Sequence, residues 1–151
     1  MRLGVIAEAQ GGTRVAIVPN SVLKLVKLGF EVVVESGAGD AAHHSDSAYE
    51  GKGATICDHQ TAMSADIVIA IGMPDVSQMK AGQMLACITD PFRCPENIRA
   101  ALSAGITLFS MDMIPRRISR AHAMDVNSSQ DNLAGYKAVL MGADAISKGI
   151  P

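Results

Sequence analysis

The chain has little of what marks most specialised classes of protein. It contains no tryptophan, and aromatic residues fill only 3% of its 151 positions. That disfavours an aromatic-rich sandwich and a nucleic-acid surface of interleaved rings, and leaves Val, Ile, Leu, Ala and Met to build the interior. Its three cysteines, Cys57, Cys87 and Cys94, are odd in number and lack metal-type pairing. Free thiols in a reducing, cytoplasmic setting are the economical expectation. The longest apolar run, around Ile67 to Met73, is far too short to cross a bilayer. Residues Met1 to Ile6 enter a strand directly, without the apolar stretch of a signal peptide. The expectation is a soluble polypeptide with no direct membrane insertion. A formal net charge of −2 adds no general attraction to nucleic acid or anionic lipid.

What is present is rhythm. Short apolar runs at Leu3–Ile6, Glu31–Glu35, Ala54–Cys57, Ile67–Ile71, Met84–Ile88 and Ile106–Ser110 read as strands. Between them, helical patterns begin at Pro19 and cover Gln60–Ser64, Val76–Lys80 and Pro95–Ala104. Alternation of this kind predicts an α/β fold, a flavodoxin-like three-layer domain with a mostly parallel sheet. Leu133, Tyr136, Leu140 and Ala143 then recur at helical spacing, with Ile146 a turn further on, so the domain should end in a long C-terminal helix. Lys148-Gly149-Ile150-Pro151 reads as its stop.

Four groups of residues invite chemistry. Gly37-Ala38-Gly39-Asp40-Ala41-Ala42 loosely matches a dinucleotide fingerprint, but it follows the second strand, and His43-His44-Ser45-Asp46 is a poor helix opening. A sharp glycine-rich turn is the better reading. Adjacent His43 and His44, and isolated His59, lack further ligands at metal-binding spacing and read as loop histidines. Arg14 lies in the loop after the first strand, at the sheet edge where open α/β folds bind ligands; a solvated surface arginine is the equal alternative. The densest group is Arg116, Arg117, Arg120, His122, Asp125, Ser128 and Ser129, between a strand and the final helix. A capped helix explains Asp125 and Ser128 but not the arginines. The mix of donors and acceptors favours a ligand-contact loop.

Several stretches carry a family resemblance. Thr13-Arg14-Val15-Ala16 with Pro19, Leu25 to Gly39, Ala65-Asp66-Ile67-Val68, Met111 to Pro115, Ile118-Ser119-Arg120-Ala121 and Asn132 to Val139 are spread along essentially the whole chain. It resembles the N-terminal domain of the proton-translocating NAD(P) transhydrogenase alpha subunit, a relative of alanine dehydrogenase. The resemblance implies that residues 1–151 are that domain, that the NAD-binding Rossmann domain is absent from this chain, and that the loop after Pro115 contacts the nicotinamide end of NAD. By position Arg117, Asp125 and Ser128 match the family's contact residues. His122 stands where the family has glutamine, while Arg116, Asn127 and Asp131 also depart from its pattern.

The implied role is positioning NADH for hydride transfer to NADP on a partner component, coupled to proton translocation, with activity only within a complex. Implied partners are a separate Rossmann component and membrane and NADP-binding subunits, with a homodimer expected and no nucleic acid. The implied location is cytoplasmic, peripheral at the inner membrane through those partners. The alternatives are a truncated, non-catalytic subunit-association module and an alanine dehydrogenase-like fragment. The last would want a lysine in the fourth strand and a histidine after the fifth; Ala70 and Thr89-Asp90-Pro91-Phe92 stand there instead.

Overall fold

Short apolar runs form the strands. β1 (Arg2–Val5), β2 (Glu31–Glu35), β3 (Thr55–Cys57), β4 (Ile67–Ile69), β5 (Met84–Cys87) and β6 (Thr107–Ser110) make one sheet of order β3-β2-β1-β4-β5-β6. Every pairing is parallel. The structure, a computed structural model, describes residues 1–8 and 12–147. Two compact units divide it, Met1–Ser110 and Met111–Pro151.

In the first unit, strand parity decides which helix covers which face. Leu3 and Val5 of β1 and Val32 and Val34 of β2 pack with Val22 of α1 (Pro19–Lys27) and Tyr49 of α2 (Asp46–Glu50). On the other face, Ile6, Val68, Leu85 and Cys87 pack with Ala62 and Met63 of α3 (His59–Met63). Alternate residues of a strand point to opposite faces, so two apolar sets yield three layers. The expected three-layer α/β domain is what the chain adopts, with a sheet parallel throughout.

Local signals set the helix ends. Pro19 starts α1 after an extended Val18, as a residue before proline prefers. α4 (Pro95–Ala104) opens on proline and closes at Gly105, whose φ is 66°. Two expectations are corrected. The sequence around Ser45-Asp46 does open a helix, because Ser45 is extended and Asp46 enters α2. Val76–Lys80 shrinks to a 3-10 turn at Val76–Gln78, held by the Asp75 carboxylate on the Ser77 N–H and ended by an extended Met79.

One buried polar side chain braces the sheet. Gln83, only 8% exposed, donates from Nε2 to the carbonyls of Met63 and Ala65, and its Oε1 accepts the Lys80 N–H. Replacing it by leucine strands those backbone groups, each of which costs roughly 1–3 kcal/mol when buried without a partner. Gln83→Leu should therefore lower unfolding free energy by about 2–3 kcal/mol in denaturant titration. An unchanged midpoint would contradict the bracing role.

The second unit is a 3-10 turn (Met111–Met113), another at Ser119–Met124, and α5 (Val126–Ala145). α5 is the expected long helix, with Ile146 just beyond it as the cap residue. None of its residues is buried, and Leu133, Tyr136, Val139 and Met141 are more than 60% exposed. The expected stop at 148–151 lies outside the described residues.

Candidate functional site

Parallel doubly wound sheets bind ligands beyond the carboxyl ends of their strands, where the strand order reverses. Here the reversal falls between β1 and β4. The crevice there contains the chain's own carboxylate: Glu8, just past β1, accepts the Ile71 N–H at 2.6 Å and the Gly72 N–H at 3.1 Å. Beside it, Glu35 at the end of β2 accepts the Ala7 N–H at 2.8 Å and pairs with His59 Nδ1 at 2.9 Å. Neither acid stands out in the sequence. Their partners lie 24 to 64 positions away, with no local signal to reveal them. His59, isolated in the sequence, has a partner in the fold.

The glycine-rich turn after β2 is also internally satisfied. Asp46 accepts the Gly37 N–H at 2.9 Å and the Ser36 hydroxyl at 2.7 Å, placing a carboxylate where a phosphate cradle would need an empty nest. A Cβ on Gly39 would lie 2.6 Å from the Tyr49 ring, so this glycine serves close packing. The Tyr49 hydroxyl in turn donates to the Ile17 carbonyl at 2.8 Å. His43 is exposed at a φ of 61°, and His44 meets Tyr49 edge-on. The turn is a structural one, as the sequence indicated.

The cysteines are free thiols. Burial, with Asp58 and Glu35 nearby, pushes the Cys57 thiol up, and desolvation with Glu96 and Asp90 does the same for Cys94. Neither is poised as a thiolate nucleophile.

Arg14 is exposed, in the segment joining β1 to α1. The remaining site candidates all belong to the second unit. There Asp125 is the N-cap of α5: its Oδ1 accepts the Ser128 N–H at 3.0 Å. Arg116 Nε lies 3.9 Å from the same oxygen, and Arg116 Nη2 bonds Asp131 Oδ2 at 2.8 Å. His122 Nε2 sits 3.0 Å from the Arg116 carbonyl oxygen. A carbonyl only accepts, so Nε2 carries the hydrogen and Nδ1 is left as an acceptor while the ring is neutral. Asn127 Nδ2 donates to the Asp112 carbonyl at 3.1 Å, and the Ser129 hydroxyl to the Val126 carbonyl at 3.0 Å. Thus Asp125, Ser128 and His122 are gathered through Arg116 and the helix cap. Arg117 and Arg120 are exposed and have no ion pair among the described residues.

Hydrogen bonds from the Ser128 side chain and then its backbone N–H, helped by Arg116, hold the Asp125 carboxyl below the usual carboxylate range. The folded state therefore binds this proton less tightly than the unfolded chain. The cap's contribution is complete above the ordinary carboxylate value and is lost as pH falls through the depressed one. On acidification, amide-exchange protection in the first turn of α5 should drop across that window. Asp125→Ala should lack the drop, and a drop retained in that variant would assign it to another group.

The first unit is a doubly wound α/β scaffold in which Glu8 and Asp46 bond backbone N–H groups of its crevice and glycine turn, and the second unit carries a loop with an arginine that has no ion pair among the described residues. Comparison with known proteins gives the family. The chain belongs to the alanine dehydrogenase/PNT N-terminal domain family, whose pattern matches residues 4–134. It is 40% identical, over its whole length, to the first portion of the NAD(P) transhydrogenase alpha subunit of Rhodospirillum rubrum, and spans 42% of that relative. Alanine dehydrogenase 1 of Staphylococcus aureus is 31% identical over 95% of the chain, which spans 38% of it. The transhydrogenase of Sinorhizobium meliloti superposes with a TM-score of 0.94 at 39% identity, covering all of this chain and 46% of that one. The chain thus spans less than half the length of these relatives.

Proposed function

We propose that this chain acts as the first domain of an NAD(P) transhydrogenase alpha subunit. In this reading it helps to position NADH for hydride transfer to NADP held by a partner component, coupled to proton translocation. The observation that carries the reading is the state of the loop after Pro115. Arg117 is exposed and has no ion pair among the described residues, and the same loop carries an imidazole that, when neutral, has one acceptor nitrogen left.

That donor set fits a nicotinamide. Its carboxamide presents an N–H₂ donor and a carbonyl acceptor, which call for one acceptor and one donor in return. His122 Nδ1 and the Arg117 guanidinium are of those kinds, while Asp125 and Ser128 fix the start of α5; Arg14, in the first unit, is proposed separately as a nucleotide contact. When bound, the nucleotide supplies the hydride. The residues of this chain orient the ring and help to exclude water. The dinucleotide-binding domain would lie in the further length seen in the relatives or in a separate Rossmann component. Association with membrane partners, on the cytoplasmic side, would provide the coupling, and a homodimer is the proposed state. Among the described residues no helix is long and apolar enough to cross a membrane.

The alanine dehydrogenase-like reading is disfavoured at two positions. Ala70, buried just past β4, occupies the place where that chemistry wants a lysine, and the buried Thr89 past β5 bonds Ser110 at 2.6 Å where it wants a histidine nearby. Neither Ala70 nor Thr89 carries the kind of proton-transfer group that amination calls for at these positions. The exposed apolar residues of α5 favour a second reading, a non-catalytic association module.

An assembled complex separates them. His122→Gln keeps an acceptor and a donor at this position and should retain most of the hydride transfer from NADH, whereas His122→Ala removes both and should raise the KM for NADH. The association-module reading expects no transfer supported by this segment, and equal KM values in the native sequence and His122→Ala would count against the contact.

A further inference from the structure

Two adjacent arginines in the same loop have opposite fates. Arg116 is held at three points: Nη2 on Asp131, Nε near Asp125, and its carbonyl on His122 Nε2. Arg117 is held at none among the described residues. The bonds to Arg116 close a ring of side chains across the loop, the cap of α5 and the helix's second turn.

We infer that Arg116 and Asp131 are positioning residues, a latch that fastens the 116–125 loop to α5 and so sets where Arg117 and His122 stand for a bound nucleotide. The inference rests on the proposed function for its purpose, but not for its existence. The geometry explains the choice of residues. An arginine fork reaches Asp131 with one nitrogen and lies toward Asp125 with another, whereas a lysine offers a single point charge. The Asp125 side chain is only 9% exposed and already committed to the cap, so the arginine is drawn to a fixed anchor. Asp131 is 69% exposed and Arg116 51%, so water competes and the latch is shallow. A shallow latch tunes position without freezing the loop.

The test is a double-substitution cycle read by amide hydrogen exchange on the 151-residue chain. Ala121, Asp125 and Ser128 have N–H groups bonded within this loop and cap, at 2.8, 3.3 and 3.0 Å. Arg116→Ala and Asp131→Asn should each speed exchange at these amides by roughly threefold, as expected for an exposed pair. The double variant should also show about threefold, because the partners act as one unit. Multiplying effects, near ninefold, or no change in any variant would overturn the latch. In the assembled complex the same variants should raise the KM for NADH about threefold with kcat unchanged, and an unaltered KM would overturn the positioning role. Exchange requires no nucleotide. Failure there removes the latch, whereas absence of NADH-dependent transfer in the native complex removes the proposed function instead.

Discussion

Arg117→Ala should reduce NADH-dependent hydride transfer in the assembled complex by about ten- to a hundredfold while leaving the fold intact. The two halves of that expectation come from different observations. Arg117 is exposed and has no ion pair among the described residues, so its removal strands nothing inside the chain. Surface substitutions of that kind change stability by about 0.5 kcal/mol or less. A hydrogen bond from a charged group to a ligand is worth roughly 1.5–3 kcal/mol, which sets the range of the lost rate. The neighbour supplies the control. Arg116→Ala removes the same charge one position away, but that arginine is committed to Asp131, and only the roughly threefold effect of a lost exposed pair is expected. Equal losses from the two substitutions would show that the loop contributes charge in general rather than a particular contact.

The largest structural effect is expected at Gly4. It lies in the middle of β1, paired with Val33 on one side and Val68 on the other, and faces α3. A Cβ there would overlap the Ala62 carbonyl oxygen and crowd the Ala65 side chain at 3.0 Å. Both obstacles are fixed, since the carbonyl belongs to the backbone at the end of α3 and Ala65 is 1% exposed. Relief requires α3 to move off the sheet, opening the core around Ala62, Met63 and Val68. Overpacking of this kind costs roughly 3 kcal/mol, so Gly4→Ala should lower the unfolding midpoint sharply, and Gly4→Val should fail to accumulate as folded protein. Near-native stability of Gly4→Ala would mean that α3 is less firmly seated than the packing indicates.

Much of this fold is legible in the sequence, and the reason is physical. Short apolar runs bounded by turn residues announce strands, so β2 matches its expected limits and β4, β5 and β6 fall within theirs. Pro19, Pro95 and Gly105 mark helix ends because their backbone preferences are local. Asp125, one of two cap candidates in the sequence, is the cap in the fold. What stays hidden depends on residues far apart in the chain. Glu8 reaches across 63 positions to Ile71, and Arg116 reaches 15 to Asp131. No periodicity or motif encodes such pairs.

Long-range pairing also changes the meaning of the family departures. In the sequence, Arg116 reads as an extra residue, and His122, Asn127 and Asp131 as isolated replacements of familiar ones. In the structure Arg116 bonds Asp131, His122 bonds the Arg116 carbonyl, and Asn127 bonds the Asp112 carbonyl. The four departures are thus internally partnered, three of them with one another, and leave Arg117 without an ion pair among the described residues.

Whether the loop after Pro115 meets the nucleotide can be read by nuclear magnetic resonance of an alpha subunit containing this segment, titrated with NADH. Nucleotide-dependent shifts are expected at the Arg117 guanidinium, the His122 ring and the Ser128 amide, with the Gly37–Gly39 turn unmoved. Saturable binding that shifts the glycine turn and leaves residues 117–128 unchanged would overturn the proposed role of the loop.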